Sequence, residues 1–180
     1  MSARQETQRA VFLAGMPGAG KSSVARELAK LLGVAALDAD EEVERAAGRT
    51  IPEIFAAEGE AGFRARERAT IEALAARGGI VVGLGGGAMA QPGVAELLRA
   101  RGVVVYLRAR VETLGKRVGT GAGRPLLEGL DEAGRTAKLR ALLAAREPHY
   151  QKAQLIVDTD HRAPRKIALE IVERLAAVTS

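Results

Sequence analysis

Gly15, Lys21 and Ser22 belong to a segment whose residue types suit the binding of a nucleoside triphosphate. The segment is GMPGAGKS, which fits the pattern G-x-x-x-x-G-K-[ST]. Its glycines allow successive backbone N–H groups to curl around a polyphosphate, Lys21 can lie along the β- and γ-phosphates, and the Ser22 hydroxyl can ligate Mg²⁺. The pattern therefore predicts a phosphate-binding loop. Its nucleotide-binding residues are Gly18, Ala19, Gly20, Lys21, Ser22 and Ser23.

The flanks of this segment predict a buried strand before it and a helix after it. Residues 10–14 are apolar, and Val24, Leu28 and Leu31 recur at helical spacing up to Gly33, a residue type favoured just beyond a helix end. The motif has physical meaning in this setting, because a helix N-terminus attracts phosphate. The alternative, a glycine-rich turn with a chance Lys-Ser pair, leaves these flanks unexplained.

Asp38 and Asp40 follow a second predicted strand at residues 34–37. On an extended chain these carboxylates project to opposite sides, so one can face a metal ion while the other faces a neighbouring pocket. A solvated acidic turn before a helix at 41–47 is the alternative. The phosphate loop one crossover upstream favours the functional interpretation, since ligands of open α/β sheets bind at the carboxyl ends of strands.

Two further groups of residues could contact a ligand. Arg64, Glu67 and Arg68 share one face of a predicted helix that follows a break at 58–62, where surface salt bridges are the alternative. Gly85, Gly86 and Gly87 follow an apolar strand at 80–84 and allow a ligand to approach the backbone closely, although glycine runs also mark ordinary turns.

Residues 119–129 predict a mobile loop. They carry four glycines, show no periodicity, and place Arg124 beside Pro125. Phosphoryl transfer requires the exclusion of water and additional positive charge in the transition state, and a hinged loop bearing an arginine supplies both.

Strands and helices alternate along the rest of the chain. Strands are predicted at 103–107 and 155–157, and helices at 92–99, at about 131–151 and from Pro164 onward. A predicted helix also begins at Thr50, which has Glu53 at the capping-box position. This alternation indicates an α/β fold with a parallel sheet.

The composition narrows the classes of partner and compartment. The chain has 180 residues and a net charge of +5, but its basic residues are scattered and it has only five aromatic side chains, which argues against nucleic-acid binding. It has no cysteine, and neither His149 nor His161 has a partner at metal-ligand spacing. No apolar run approaches membrane-spanning length and the polar start lacks a signal peptide's apolar core, so we expect a cytoplasmic protein without a membrane partner.

Several segments together resemble those of the shikimate kinases, and the resemblance covers nearly the whole chain. In chain order they are GMPGAGKSS, LDADEEVE, IPEIFAAEGEAGFRARE, GLGGGAM, GRPLL, AREPHY and VDTD. The resemblance implies a single-domain, three-layer P-loop kinase fold over 1–180, similar to nucleoside monophosphate kinases, with a five-stranded parallel sheet. It also implies a mobile lid at about 119–129, an acceptor-binding segment at about 38–68, and a monomer. The implied reaction transfers the γ-phosphoryl group of ATP, with Mg²⁺, to the 3-hydroxyl of shikimate.

The resemblance also implies roles for individual residues. Lys21 and Ser22 would hold the phosphates and Mg²⁺, with Asp38 near the metal through water, and Asp40 would orient or deprotonate the attacking hydroxyl. The catalytic set would be Lys21, Asp40 and the lid residue Arg124, which also contacts the nucleotide. The acceptor would be held by Asp40, Arg64, Gly85, Gly86, Gly87 and Arg146. On the adenine side, Arg117 would stack on the base and Arg162 would lie in a second contacting segment.

Two alternatives stay open at this point. A small kinase for gluconate or a nucleoside monophosphate would keep the loop and the fold, but the DAD, FRARE and GGG segments argue against it. A non-catalytic ligand sensor built on a kinase-like domain would usually have lost Lys21 or Asp40, and this chain retains both.

Overall fold

The computed structural model describes residues 9–121 and 126–178 and contains a five-stranded parallel sheet. The strands are β1 (Ala10–Ala14), β2 (Ala35–Asp38), β3 (Ile80–Gly83), β4 (Gly102–Arg108) and β5 (Leu155–Asp158). Their order across the sheet is β2-β3-β1-β4-β5, and all four neighbouring pairs are parallel. The predicted α/β fold with a five-stranded parallel sheet is confirmed.

Seven α-helices and one 3₁₀ helix are present in the described residues. They are α1 (Lys21–Leu32), α2 (Ala39–Ala47), α3 (Ile51–Ala75), α4 (Val94–Arg101), α5 (Val111–Val118), α6 (Glu132–Tyr150) and α7 (Pro164–Val178), with the 3₁₀ helix at Ala88–Ala90. Helix α1 packs on α7, whereas α3 packs on α4 and α5 on α6. The connection from β1 to β2 crosses the sheet in the opposite direction to the later ones. Right-handed crossovers therefore place α1 on one face and α3 to α6 on the other.

The sheet forms the core of the molecule. Every residue of β1 and β3 is buried, and so are the first six positions of β4, because helices cover both faces. This explains why these strands appear in the sequence as continuous apolar runs. The chain leaves β1 toward one side of the sheet and β3 toward the other, so the carboxyl ends of these neighbouring strands flank a crevice, the usual place for a ligand.

The ends of the predicted elements agree with the structure to within about two residues, and two short elements were not predicted. The helix expected after Pro92 begins at Val94, with Gly93 as its N-cap in the left-handed conformation. Gly102 starts β4 instead of ending a turn, and α5 and the 3₁₀ helix lacked a prediction. Helix α2 begins at Ala39 because Asp38 caps it, as described below.

Helix α3 contains the break predicted in the sequence. It starts with the expected capping box, in which Thr50 and Glu53 satisfy each other's backbone N–H groups. At Gly59 the backbone leaves the helical conformation, with φ 70° and ψ −174°, and the helix kinks there. The kink separates the first part of α3 from the part that carries Arg64 and Glu67.

Candidate active site

The phosphate loop lies between the end of β1 and the start of α1. Gly20 is the N-cap of α1 in the left-handed conformation, so the first turn of the helix opens directly onto the loop. The Lys21 ammonium donates to the carbonyl oxygens of Gly15 and Met16 at 2.8 and 2.9 Å. The loop thus has a cation and a helix N-terminus at its mouth, which is the electrostatic setting that phosphate requires.

Two glycines of this loop are required by close contacts as well as by conformation. A Cβ atom on Gly15 would stand 2.7 Å from the Leu107 carbonyl oxygen, and one on Gly18 would stand 2.8 Å from the Val118 side chain. Both residues also have positive φ angles, of 151° and 83°. The loop is therefore wedged against the end of β4 and against α5, an arrangement that side chains would prevent.

Asp38 lies beside Ser22 at the end of β2. Its Oδ2 atom lies 3.4 Å from the Ser22 hydroxyl, and its Oδ1 atom accepts from the backbone N–H groups of Asp40 and Glu41. Oxygen ligands from a hydroxyl and a carboxylate suit Mg²⁺, which commonly keeps several waters and binds through substrate phosphates. In residues 9–121 and 126–178, no group of three or more His, Cys, Asp or Glu side chains could hold a metal ion. The hydroxyl of Ser22 and the carboxylate of Asp38 fit a metal ion that arrives bound to a nucleotide.

Asp40 lies in the first turn of α2, which corrects the expected geometry. The sequence predicted that Asp38 and Asp40 would diverge from an extended strand, but the Asp38 cap folds the chain into a helix before Asp40. The two carboxylates still separate: Asp38 meets Ser22, whereas the Oδ1 atom of Asp40 is buried without a hydrogen-bond partner among the described residues. Burial raises the pKa of Asp40 to about 6, helped by the charges of Asp38 and Glu67 and opposed by Lys21 and Arg64.

Glu67, which the sequence placed on one helix face with Arg64 and Arg68 without a role of its own, is buried in the site. It is 1% exposed, whereas the alternative considered for its helix face was a surface salt bridge. Its Oε2 atom accepts from Arg64 Nη1 at 2.5 Å and from the Gln91 amide at 2.6 Å, and its Oε1 atom is buried without a partner among the described residues. Arg68, on the same helix, instead bonds to Glu72 and the Pro92 carbonyl at an exposed position.

Gly85 brings the two buried carboxylates together. A Cβ atom at this position would stand 2.7 Å from the Oε1 atom of Glu67 and 2.9 Å from the Oδ1 atom of Asp40. These are the two buried side-chain oxygens that lack hydrogen-bond partners in the described part of the chain. Each therefore points at a stretch of backbone that has no side chain, and two acceptor atoms face the same small space.

Gly86 and Gly87 lie under the two arginines. A Cβ atom on Gly86 would stand 2.8 Å from Arg146 Nη1, and one on Gly87 would stand 2.5 Å from Arg64 Nη2. Within residues 9–121 and 126–178, the amides of Gly86 and Gly87 donate to no other protein group. The sequence predicted a backbone that a ligand can approach closely, and the structure places two guanidinium groups and these two amide donors around it.

The adenine-side arginines have different surroundings. Arg117 donates to the carbonyl oxygens of Gly18 and Ala19 at 3.4 and 3.3 Å, and to the hydroxyl and carbonyl of the buried Thr159. It therefore joins the phosphate loop to the segment after β5. Arg162 donates to the Asp158 carbonyl and pairs with Glu170 at 2.7 Å. Arg124, the predicted lid arginine, lies outside the described residues.

Comparisons with known proteins identify the family. The shikimate kinase family profile matches residues 17–176. A shikimate kinase of Halorhodospira halophila is 47% identical over 174 residues, which is 96% of this chain and 97% of that protein. The chain belongs to the shikimate kinase family. A solved shikimate kinase of Acinetobacter baumannii, in complex with shikimate, superposes with a TM-score of 0.89 at 41% identity, covering 97% of this chain and 96% of that one. A shikimate kinase structure from Aquifex aeolicus has a TM-score of 0.81 at 29% identity.

Membership of the shikimate kinase family settles the class of reaction. The protein is a transferase that phosphorylates shikimate with ATP in aromatic amino-acid biosynthesis. The two alternatives, a kinase for gluconate or a nucleoside monophosphate and a non-catalytic sensor, are not favoured at this identity over the whole chain. Among the helices of residues 9–121 and 126–178, none is long and apolar enough to cross a membrane.

Proposed function

We propose that the residues around Gly85–Gly87 bind shikimate and that the phosphate loop presents the γ-phosphoryl group of ATP to its 3-hydroxyl. One observation carries this proposal: the buried carboxylate of Asp40 and the guanidinium groups of Arg64 and Arg146 converge on a backbone without side chains. The site adjoins the phosphate loop, since a Cβ atom on Gly86 would stand 3.3 Å from Pro17 Cδ. An acceptor bound here lies within reach of a phosphate held by the loop.

Arg64 and Arg146 bind the carboxylate of the acceptor. Guanidinium groups are planar and can pair with a carboxylate through two parallel hydrogen bonds, which fixes its orientation as well as its position. The amides of Gly86 and Gly87, which donate to no protein group in the described part of the chain, add two further donors beside the arginines. This set of donors favours an acid over a neutral sugar, because a carboxylate pairs with guanidinium groups through charge-assisted hydrogen bonds that a neutral ligand cannot form.

Asp40 orients and deprotonates the attacking hydroxyl. Its unpartnered Oδ1 atom is an acceptor in need of a donor, which a ligand hydroxyl supplies. A pKa of about 6 leaves the carboxylate ionised at neutral pH while making it a stronger base than an ordinary aspartate. A base whose pKa lies near the working pH is the most effective kind.

The residues around the phosphate loop neutralise the negative charge of the triphosphate. Lys21 leaves the loop carbonyls to lie along the β- and γ-phosphates, and the backbone amides of residues 18–23 hold the phosphate oxygens. Mg²⁺, which Ser22 and Asp38 would hold together with waters, supplies further charge neutralisation when bound. Arg117 supports the loop and faces the base, Arg162 lies on the adenine side, and Arg124 closes over the phosphates from a lid at about 119–129. The chain acts as a single-domain monomer, with its acceptor-binding segment at about 38–68.

Steady-state ADP release tests the assignment of substrate. With Mg·ATP and a panel of shikimate, quinate, gluconate, AMP and CMP, shikimate should be turned over far better than any other compound.

Asp40→Asn should lower kcat by roughly two orders of magnitude or more without changing the Mg²⁺ dependence. Asp38→Asn should instead weaken the apparent Mg²⁺ affinity. Faster turnover of AMP or gluconate, or exchange of these two phenotypes, would contradict the proposal.

A further inference from the structure

Tyr150, at the end of α6, lies beneath the glycine segment and bonds to it. The residue is 1% exposed, and its hydroxyl donates to the Gly86 carbonyl oxygen at 2.6 Å. It lies four residues after Arg146, so both side chains project from the same face of the helix. Burial raises the pKa of the Tyr150 hydroxyl to about 12, while the positive charge of the adjacent Arg146 acts in the opposite direction.

Tyr150, Arg146 and Gly86 lie close to one another. The Tyr150 hydroxyl donates its single proton to the Gly86 carbonyl oxygen, and the Arg146 guanidinium interacts with the same hydroxyl. Arg146 Nη1 also lies 2.8 Å from the position that a Cβ atom on Gly86 would take. The Tyr150 hydroxyl therefore adjoins both the arginine that we assign to the acceptor carboxylate and the Gly86–Gly87 peptide.

The bond to Gly86 also orients the Gly87 amide. In a trans peptide the carbonyl of one residue and the N–H of the next point in opposite directions, and no cis peptide bond occurs in the described residues. Holding the Gly86 carbonyl toward Tyr150 therefore turns the Gly87 N–H away from it. Because glycine has few backbone restraints of its own, such an external restraint has a large effect on this segment.

A second tyrosine holds Tyr150 in place without touching the acceptor groups. The rings of Tyr106 and Tyr150 are stacked, with centroids 4.9 Å apart and planes inclined by 28°. The Tyr106 hydroxyl donates to Glu147 Oε2 at 2.6 Å, and not to the glycine segment. The stacking fixes the Tyr150 ring, and hence the position of its hydroxyl.

We propose that Tyr150 is a positioning residue for shikimate binding, which sets the Arg146 guanidinium and the Gly86–Gly87 peptide in the geometry that receives the acceptor carboxylate. This inference rests on the function proposed above. It goes beyond it by assigning a role to a residue that touches neither substrate.

Tyr150→Phe tests the inference, because it removes the hydroxyl and keeps the stacked ring. The variant should raise the KM for shikimate, and its Kd by calorimetry, by about tenfold, the factor expected for a hydrogen-bonding group beside a charge. The KM for ATP should stay within about twofold, since no nucleotide contact changes. Replacing Tyr150 by 3-fluorotyrosine, which retains the hydroxyl, should keep the parent KM for shikimate.

Tyr106→Phe is the matched control. It removes an equally buried hydroxyl with a bond of the same length from the same ring pair. It should change the melting temperature about as much as Tyr150→Phe and leave the KM for shikimate within about twofold. If the Tyr150 hydroxyl only stabilised the fold, the two variants would raise both KM values alike, and that result would overturn the inference.

An Arg146→Ala background separates failure of this inference from failure of the proposed site. If Tyr150 acts partly through Arg146, Tyr150→Phe should weaken shikimate binding by a smaller factor in the Arg146→Ala background than in the parent protein, the remainder reflecting its bond to Gly86. Full additivity would refute the coupling. If Arg146→Ala itself leaves the Kd of shikimate unchanged, the acceptor site is misassigned. If Arg146→Ala weakens binding and Tyr150→Phe does not, only the role of Tyr150 is wrong.

Discussion

Removal of the Asp40 charge should make the ligand-free protein more stable at neutral pH even as it removes activity. Asp40 is half-buried, its Oδ1 atom is buried without a hydrogen-bond partner among the described residues, and it lies near the charges of Asp38 and Glu67. At neutral pH it is ionised in an environment that disfavours its charge. Asp40→Asn keeps the size of the side chain and eliminates that unfavourable charge.

The sign of the pH dependence follows from the raised pKa. Asp40 binds its proton with a pKa of about 6 in the folded protein, against an ordinary value near 3.8. Between these two values the folded state holds more protons than the unfolded state, so the contribution of Asp40 to the free energy of unfolding falls as pH rises through this window. Below about pH 3.8 the group is neutral in both states and carries no penalty. Above about pH 6 the full penalty applies.

The magnitude follows from the same two values. The difference between them corresponds to on the order of 3 kcal/mol. The free energy of unfolding of Asp40→Asn should therefore exceed that of the parent protein by about 1–3 kcal/mol at pH 8, and by less than about 0.5 kcal/mol at pH 4. Urea denaturation at a series of pH values measures this difference, provided that the dependence on denaturant is equal for both proteins.

Glu41→Gln provides the control from the same turn of α2. Glu41 is exposed and lies at a helix N-terminus, where a negative charge is favourable, so its removal should lower stability slightly at pH 8. The argument fails if Asp40→Asn is no more stable than the parent protein at pH 8. It also fails if the gain is the same at pH 4 and pH 8, because the gain would then be independent of charge.

Four further predictions concern catalysis. The kcat/KM for shikimate should decline below an apparent pKa near 6 as Asp40 is protonated, and a flat profile down to pH 5 would exclude Asp40 as the base. Lys21→Ala should cost several kcal/mol of transition-state stabilisation, and wild-type-like ATP turnover would place the phosphates elsewhere. Arg124→Ala should lower kcat by a factor on the order of a hundred to a thousand, with little loss of shikimate binding in the absence of nucleotide. Arg64→Ala should instead weaken shikimate binding by about 1.5–3 kcal/mol. An Arg124→Ala enzyme that kept its kcat and lost only shikimate affinity would refute the lid. Gly85→Ala should weaken shikimate binding, since its methyl group would displace the Asp40 and Glu67 carboxylate oxygens; unchanged affinity in calorimetry would show that this space is not used.

The parts of the site that could be predicted from the sequence are those coded by local patterns. The phosphate loop, the Asp38 and Asp40 segment and the glycine run each follow a strand, and strands buried on both faces are recognisable as apolar runs. Helix α5 was not predicted because it has only eight residues and follows β4 closely. The observed ends of some elements differ from the predicted ends by a residue or two because a capping residue determines them. Asp38, for example, caps α2 and makes it begin at Ala39, and hydrophobic periodicity does not reveal this cap.

The burial of Glu67 and the bond of Tyr150 to the glycine segment could not be predicted, because the partners of both residues are distant in the chain. Glu67 on α3 meets Gln91 and Gly85, and Tyr150 on α6 meets Gly86. Helical spacing places a glutamate and two arginines on one face but does not show whether that face is covered. Burial of Glu67 depends on how α3 packs beside the segment that follows β3, which is a property of the assembled fold.

The two unpartnered carboxylate oxygens explain why the acceptor site should favour a hydroxylated acid. Buried acceptors without donors destabilise a folded protein, and those of Asp40 and Glu67 lie together at Gly85. The neighbouring guanidinium groups and glycine amides instead offer N–H donors that an acceptor on a ligand can use. A ligand with hydroxyls on one side and a carboxylate on the other provides donors for the carboxylate oxygens and an acceptor for the N–H groups. A ligand with only one of these groups leaves the other set without hydrogen-bond partners. Selectivity for the acceptor then follows from groups that the protein leaves unsatisfied when no ligand is bound.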